Sequence, residues 1–283
     1  MSEALTAMIH PASRVGASKR VVSIWLSFGF VALVTVLAVI GPWIAPQSTS
    51  AQDLYHIGAT PGITHFLGTD TLGRDVFSRL IIGSRTALIG PLIVASIGVV
   101  ISSLAGVYAG YSGGVADTVI MRIVDFFFAL PGLLIAIVVV SVLGGGYWIA
   151  IVVLSILNVQ GDIRIVRGAA LKERNLTYVE AARTVGVPRW RLMYRHILPN
   201  VAPLLVSTFA IDFGGALVAL AGLAFLGLGS EVGSPEWGSM LSDGRSLLFA
   251  NPAAALGPAV VIVLLVVSVN LIGDWIYDRY ADR

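Results

Sequence analysis

Residues 180–200 read EAARTVGVPRWRLMYRHILPN, the most arginine-rich stretch of the chain. Around it lie 283 residues that are 57% apolar and only 12% charged, with a mean hydropathy of +0.89. Soluble domains carry about a quarter charged residues. A run of arginines in one turn-broken segment of so apolar a chain needs a reason. Tyr178 to Val185 contains good helix formers, and Gly186 suits the left-handed position that closes a helix. Pro188 suits the first turn of a second helix, where its missing N–H does no harm. That second helix is expected to run through RWRLMYRHI and to stop before Pro199. Trp190, Met193, Tyr194 and Ile197 then share one face, and Arg191 and Arg195 another. Ala181 and Ala182 are small enough to let another protein's surface approach the backbone closely. The segment reads as a short helical hairpin, either a plain loop held against the membrane or a docking knob for a partner protein.

Working outward, apolar runs long enough to cross a bilayer fall at about 21–45, 86–109, 123–143, 147–166, 201–229 and 257–277. The spacing predicts an all-α polytopic membrane protein of about six spans. The first run is longer than a signal-peptide core, lacks a small-residue cleavage site and ends in GPWIAP, with Trp43 at the interface; it reads as a retained anchor. Three parts follow: a cytoplasmic tail over 1–20, the first span with an outer loop over 21–85, and a core over 86–283 that carries the hairpin at 168–200. With the N-terminus inside, 14 lysines and arginines face the cytoplasm and four (Arg74, Arg79, Arg85, Arg245) face out. The lysine and arginine bias therefore puts both termini and the hairpin in the cytoplasm.

In the outer loop, LGTDTLGRDVFSRLIIGSRTAL (67–88) predicts an amphipathic helix on the membrane surface. Asp70 is its expected N-cap, and Asp75 and Arg79 an i,i+4 pair. Ionisable residues inside spans are functional candidates by default. Asp212, in FAIDFGGAL, is a candidate for the translocation path, where it would meet a substrate amine. Asp125 is a second candidate and is spaced to pair with Arg122, while Asp162 is spaced to approach Arg164 or Arg167. Pro131 is expected to kink the third span, and the glycines of the fifth to allow close helix packing.

Several functions are excluded or weakened. A net charge of +2 is too small to imply nucleic acid, and two flanking spans would pin the hairpin away from DNA. With no cysteines and four scattered histidines, no nucleophile–base or metal constellation supports an enzyme. No phosphate-binding loop of the G-x-x-x-x-G-K-[ST] type occurs, so any ATP chemistry belongs to a partner.

EAA, then Gly186, then nine residues, then His196-x-Leu198-Pro199 resembles the EAA signature of ABC importer permeases. His196 stands where isoleucine is usual, although the peptide branch often has histidine there. LGTDTLGRDVFSRLIIGSRTAL, YSGGVADTVIMRIVDFFFALPGLL, FLGLGSEVGSPEWGSML and NLIGDW extend the resemblance over nearly the whole chain. They are similar to the C-type permease subunit of dipeptide, oligopeptide and nickel importers; the tail DWIYDRYADR departs from that pattern. The resemblance implies a type I importer fold in the plasma (inner) membrane and a second homologous permease with the pathway between the two. It also implies two ATP-binding subunits carrying ATP and magnesium, and an extracytoplasmic substrate-binding protein. Glu180, Ala181, Ala182, Gly186, Arg191, Leu198 and Pro199 would form the contact with the ATPase. The implied cargo is a di- or oligopeptide, with nickel, glutathione or haem-like ligands as alternatives. An ion-coupled secondary transporter is the competing class; it would need a buried coupling site and usually internal repeats.

Overall fold

The computed structural model describes residues 14–229 and 233–281, without the side chains of 14–20 and 281. Most of the expected cytoplasmic tail, and Arg283, therefore lie outside the described residues. Among those described, the chain is helical and contains no strand. It runs α1 (Arg14–Ile44), α2 (Val76–Ser112), α3 (Gly114–Phe128), α4 (Gly132–Val142), α5 (Tyr147–Glu173), α6 (Thr177–Thr184), α7 (Arg189–Phe225), α8 (Trp237–Gly244) and α9 (Ala253–Ala281). α1, α2, α5, α7 and α9 are long and apolar enough to cross a membrane. α3 and α4 make a sixth span if taken as one broken crossing, bent by 78°. The break falls at Pro131, whose backbone is extended (φ −71°, ψ 96°). Its ring cannot coexist with the carbonyl four residues back, so the expected kink becomes a corner.

Two expected boundaries move. No separate surface helix precedes the second span; α2 begins at Val76 and runs unbroken to Ser112. Its N-cap is Asp75, which accepts from Ser78 N at 2.7 Å, rather than Asp70. Asp70 instead organises the preceding turn, accepting from Leu72 N and Arg74 N, both at 2.9 Å, and from Arg74 Nε at 2.6 Å. The expected Asp75–Arg79 pair does not form, because His65 Nδ1 takes Asp75 at 2.9 Å. Arg79, 1% exposed, donates to the carbonyls of Thr49, Gly233 and Ser234 and stands 3.6 Å from Asp70. It pins the outer loop to the segment before α8.

The second boundary is Pro199, which does not end the second helix. Residues Leu192–Ile197 widen into a π-helical turn, and Leu198 N bonds Met193 O, five residues back. This wider turn lets the chain pass a proline that has no N–H to give and continue as α7.

α2 and α5 pack through small residues. A Cβ at Gly106 would lie 2.8 Å from Val166 Cβ, and one at Gly110 would lie 2.6 Å from Arg167 O, so the backbones approach closely there. In a bilayer this close packing, not exclusion from water, holds helices together. Three apolar clusters stack along the bundle. One gathers Val76, Phe213, Trp237 and Leu265; the next, Val94, Val140, Ile151 and Leu223; the third, Val107, Val166, Leu192 and Ile197. The outward surface keeps large apolar side chains such as Trp25, Leu26, Val142 and Trp148 exposed, as a lipid-facing surface should. Trp43, 79% exposed near the end of α1, stands as an interfacial anchor.

Candidate functional site

The hairpin turns on Gly186. α6 ends at Thr184 with Val185 as its C-cap, and Gly186 takes φ +86°, where an L side chain is strained. Gly186 N bonds Arg183 O at 3.0 Å and Val187 N bonds Ala182 O at 3.1 Å. This pair of bonds is a Schellman closure, which satisfies the last carbonyls of α6 and reverses the chain. Pro188 then sits just ahead of α7 rather than inside its first turn, with φ −67° and ψ 147°. Its carbonyl accepts from Arg191 N at 3.0 Å and Leu192 N at 3.1 Å.

One side of the hairpin is nailed to the bundle. Val179, Leu192 and Ile197 have no exposed surface and pack in the cluster with Val107 of α2 and Val166 of α5. Tyr178 Oη donates to Glu173 Oε2 at 2.7 Å, and Asn200 Nδ2 donates to Tyr178 Oη at 2.8 Å. Three segments meet in that network: the end of α5, α6 and the second arm of the hairpin. Burial, with Glu173 beside it, pushes the Tyr178 hydroxyl up to about 12. Arg174 Nη1 closes the end of α2 by donating to Gly110 O at 3.3 Å and Tyr111 O at 3.0 Å.

The other side is open. Glu180, Ala181, Gly186 and Arg191 are exposed, as is Pro199; Ala182 and Leu198 are half-buried. The sequence-derived residues thus occupy one hairpin, but not one continuous exposed face. Trp190 departs from its expected face: it is 59% exposed, and Arg191 lies 5.3 Å over its ring. A cleft of about 580 Å³ opens beside the turn, lined by Arg174, Glu180, Arg183, Gly186 and Arg189. It is a polar, arginine-rimmed cleft suited to a protein contact.

The intramembrane charges pair differently from the sequence spacing. Asp125 does not meet Arg122; it accepts from Arg164 Nη2 at 2.7 Å, and Arg164 also lies 4.4 Å over the Phe128 ring. Arg167 binds both carboxylate oxygens of Asp117. Asp162 therefore reaches neither arginine and instead faces Asp212 across Gly98 of α2. The Asp117–Arg167 clamp, the Tyr178 network and buried Arg79 escaped the sequence reading. Each joins residues distant along the chain, and no local spacing signals them.

Residues 102–283 match the family model described as the binding-protein-dependent transport system inner membrane component. The chain belongs to this family. It is 38% identical over 250 residues to the glutathione transport system permease protein GsiD of Pectobacterium atrosepticum, covering 88% of this chain and 83% of that one. It is 37% identical over 248 residues to the probable D,D-dipeptide transport system permease protein DdpC of Escherichia coli K12, with the same coverage. GsiD of Shigella boydii is 39% identical over 250 residues, covering 88% of this chain and 82% of that one. The protein is a multi-pass inner-membrane permease subunit of an ABC importer, as the resemblance implied. It is not itself an enzyme: ATP is hydrolysed by separate ATPase subunits, and substrate arrives from a binding protein.

Proposed function

We propose that this permease pairs with a second, homologous permease, and that the two enclose a path for di- and oligopeptides, glutathione among them. Two ATP-binding subunits or domains drive the pair, and an extracytoplasmic binding protein delivers the cargo. The hairpin is the ATPase contact. Glu180, Ala181, Ala182, Gly186 and Arg191 form the docking surface, and Leu198 and Pro199 join it to α7. Asp212 and Asp125 border the path.

The observation that carries this reading is the split character of the hairpin. One side is locked to α2 and α5 through fully buried Val179, Leu192 and Ile197, while the turn stands open beside an arginine-rimmed cleft. Force applied at such a turn reaches the spans without being lost in a soft loop. The peptide assignment rests on likeness to permeases named for glutathione and D,D-dipeptide.

The chain has no cysteine, so Ala181→Cys introduces the only thiol in it. In the assembled importer, a short bifunctional crosslinker should join this thiol to the ATPase and not to the binding protein. Proteoliposomes loaded with ATP should accumulate labelled dipeptide or glutathione. Crosslinking to the binding protein would overturn the docking assignment, and uptake of nickel or haem with no peptide uptake would overturn the cargo.

A further inference from the structure

Asp162 of α5 and Asp212 of α7 meet over Gly98 of α2. A Cβ built at Gly98 would lie 3.3 Å from Asp162 Oδ2 and 3.4 Å from Asp212 Oδ2, so the two oxygens bracket one small space. Asp162 is 5% exposed. Both Oδ2 atoms are buried, and neither has a hydrogen-bond partner. Asp162 stands 15 residues into α5, roughly 22 Å from its outer end and about 6 Å short of the inner end of the apolar run 147–166.

The neighbouring charges do not compensate this pair. Arg164 and Arg167, the nearest cations along α5, are taken by Asp125 and Asp117. α2 brings no charge to the pair: its arginines, Arg79 and Arg85, lie more than three turns away toward its outer end. α9 packs on α7 at Gly214 through Asn270, an uncharged side chain whose Nδ2 is already committed to Val266 O. Two ionised carboxylates facing each other here would carry the full cost of buried, like-signed charge. One positive charge between them removes most of it. A metal ion needs more oxygen ligands than these two side chains supply. A substrate ammonium could approach only from the half-buried Asp212 side, and Asp162 behind it is 5% exposed. A proton needs only the two oxygens.

We propose that Asp162 and Asp212 bind one proton between them, held by the two Oδ2 atoms, as a latch between α5 and α7. The proton comes from water, and the pair then carries a single negative charge. The two carboxylates titrate as a unit rather than as separate groups.

The test is infrared spectroscopy of the complete importer in lipid, in H2O and in D2O. At neutral pH the wild type should show the carbonyl stretch of a protonated carboxyl group, shifted in D2O and fading at alkaline pH. Asp162→Asn and Asp212→Asn should each abolish it, because an amide donates to the remaining carboxylate without any titratable proton. Asp212→Glu should retain the band at a displaced frequency. Absence of the band in the wild type, or its survival in both asparagine variants, would overturn the proposal. So would its appearance only when choline replaces sodium, since a metal cation would then be the occupant. None of these readouts depends on the identity of the cargo or on the ATPase contact.

Discussion

Gly186→Val isolates the turn from everything around it. A Cβ at Gly186 would meet nothing within 4 Å, so at that carbon the cost of substitution is that of φ +86°. Alanine in a left-handed conformation costs about 1 kcal/mol, and a β-branched residue about 3 kcal/mol. At about 1.4 kcal/mol per tenfold, alanine reduces the closed turn about fivefold and valine more than a hundredfold. Asparagine, which visits this region readily, should lie nearest to glycine. The core is untouched, so insertion and assembly should persist. The measurement is substrate moved per ATP hydrolysed in proteoliposomes containing the complete importer. Coupling should fall in the order Gly, Asn, Ala, Val, with ATPase activity no longer driving uptake in the valine variant. Undiminished transport by Gly186→Val, or equal losses in all three variants, would refute the assignment of the turn.

Arg79→Met should lower stability by about 1–3 kcal/mol for each buried acceptor left without its donor, namely the carbonyls of Thr49, Gly233 and Ser234, while Asp70 keeps Arg74; thermal unfolding of the detergent-purified subunit checks this. Ile197→Ala removes a fully buried side chain beneath the hairpin and should cost about 2–5 kcal/mol. Its signature is lost transport with ATPase binding retained in pull-downs. The Tyr178 hydroxyl titrates above the usual tyrosine value, so the folded state holds its proton longer than the unfolded state does. Its contribution is complete below about pH 10 and is lost as pH rises toward about 12. The Tyr178→Phe importer should therefore keep the wild-type pH profile of transport between about pH 6 and pH 9, and a new alkaline limb in that window would contradict the assignment.

The features legible in the sequence were those encoded locally. The apolar runs marked the spans, Gly186 marked the reversal, and Pro131 marked the break between α3 and α4. What escaped was set by partners far along the chain. An i,i+3 spacing offered Arg122 to Asp125, but Arg164, 39 residues away, takes it. Asp117 lies 50 residues from Arg167, and its claim on that arginine leaves Asp162 to Asp212. Pro199 misled for the opposite reason: a local stop signal was overridden by a single widened turn that keeps α7 intact. Asp70 was the expected cap, and the folded loop gives that place to Asp75, five residues on.

That continuity of α7 has a mechanical consequence. From Arg189 beside the Gly186 turn to Phe225 it spans 37 residues, a stiff rod of about 55 Å. Tilting such a rod by about 5° about one end displaces the other by about 5 Å, one helical pitch. A small rotation of α7 about its inner end thus becomes a displacement of several ångström at its outer end.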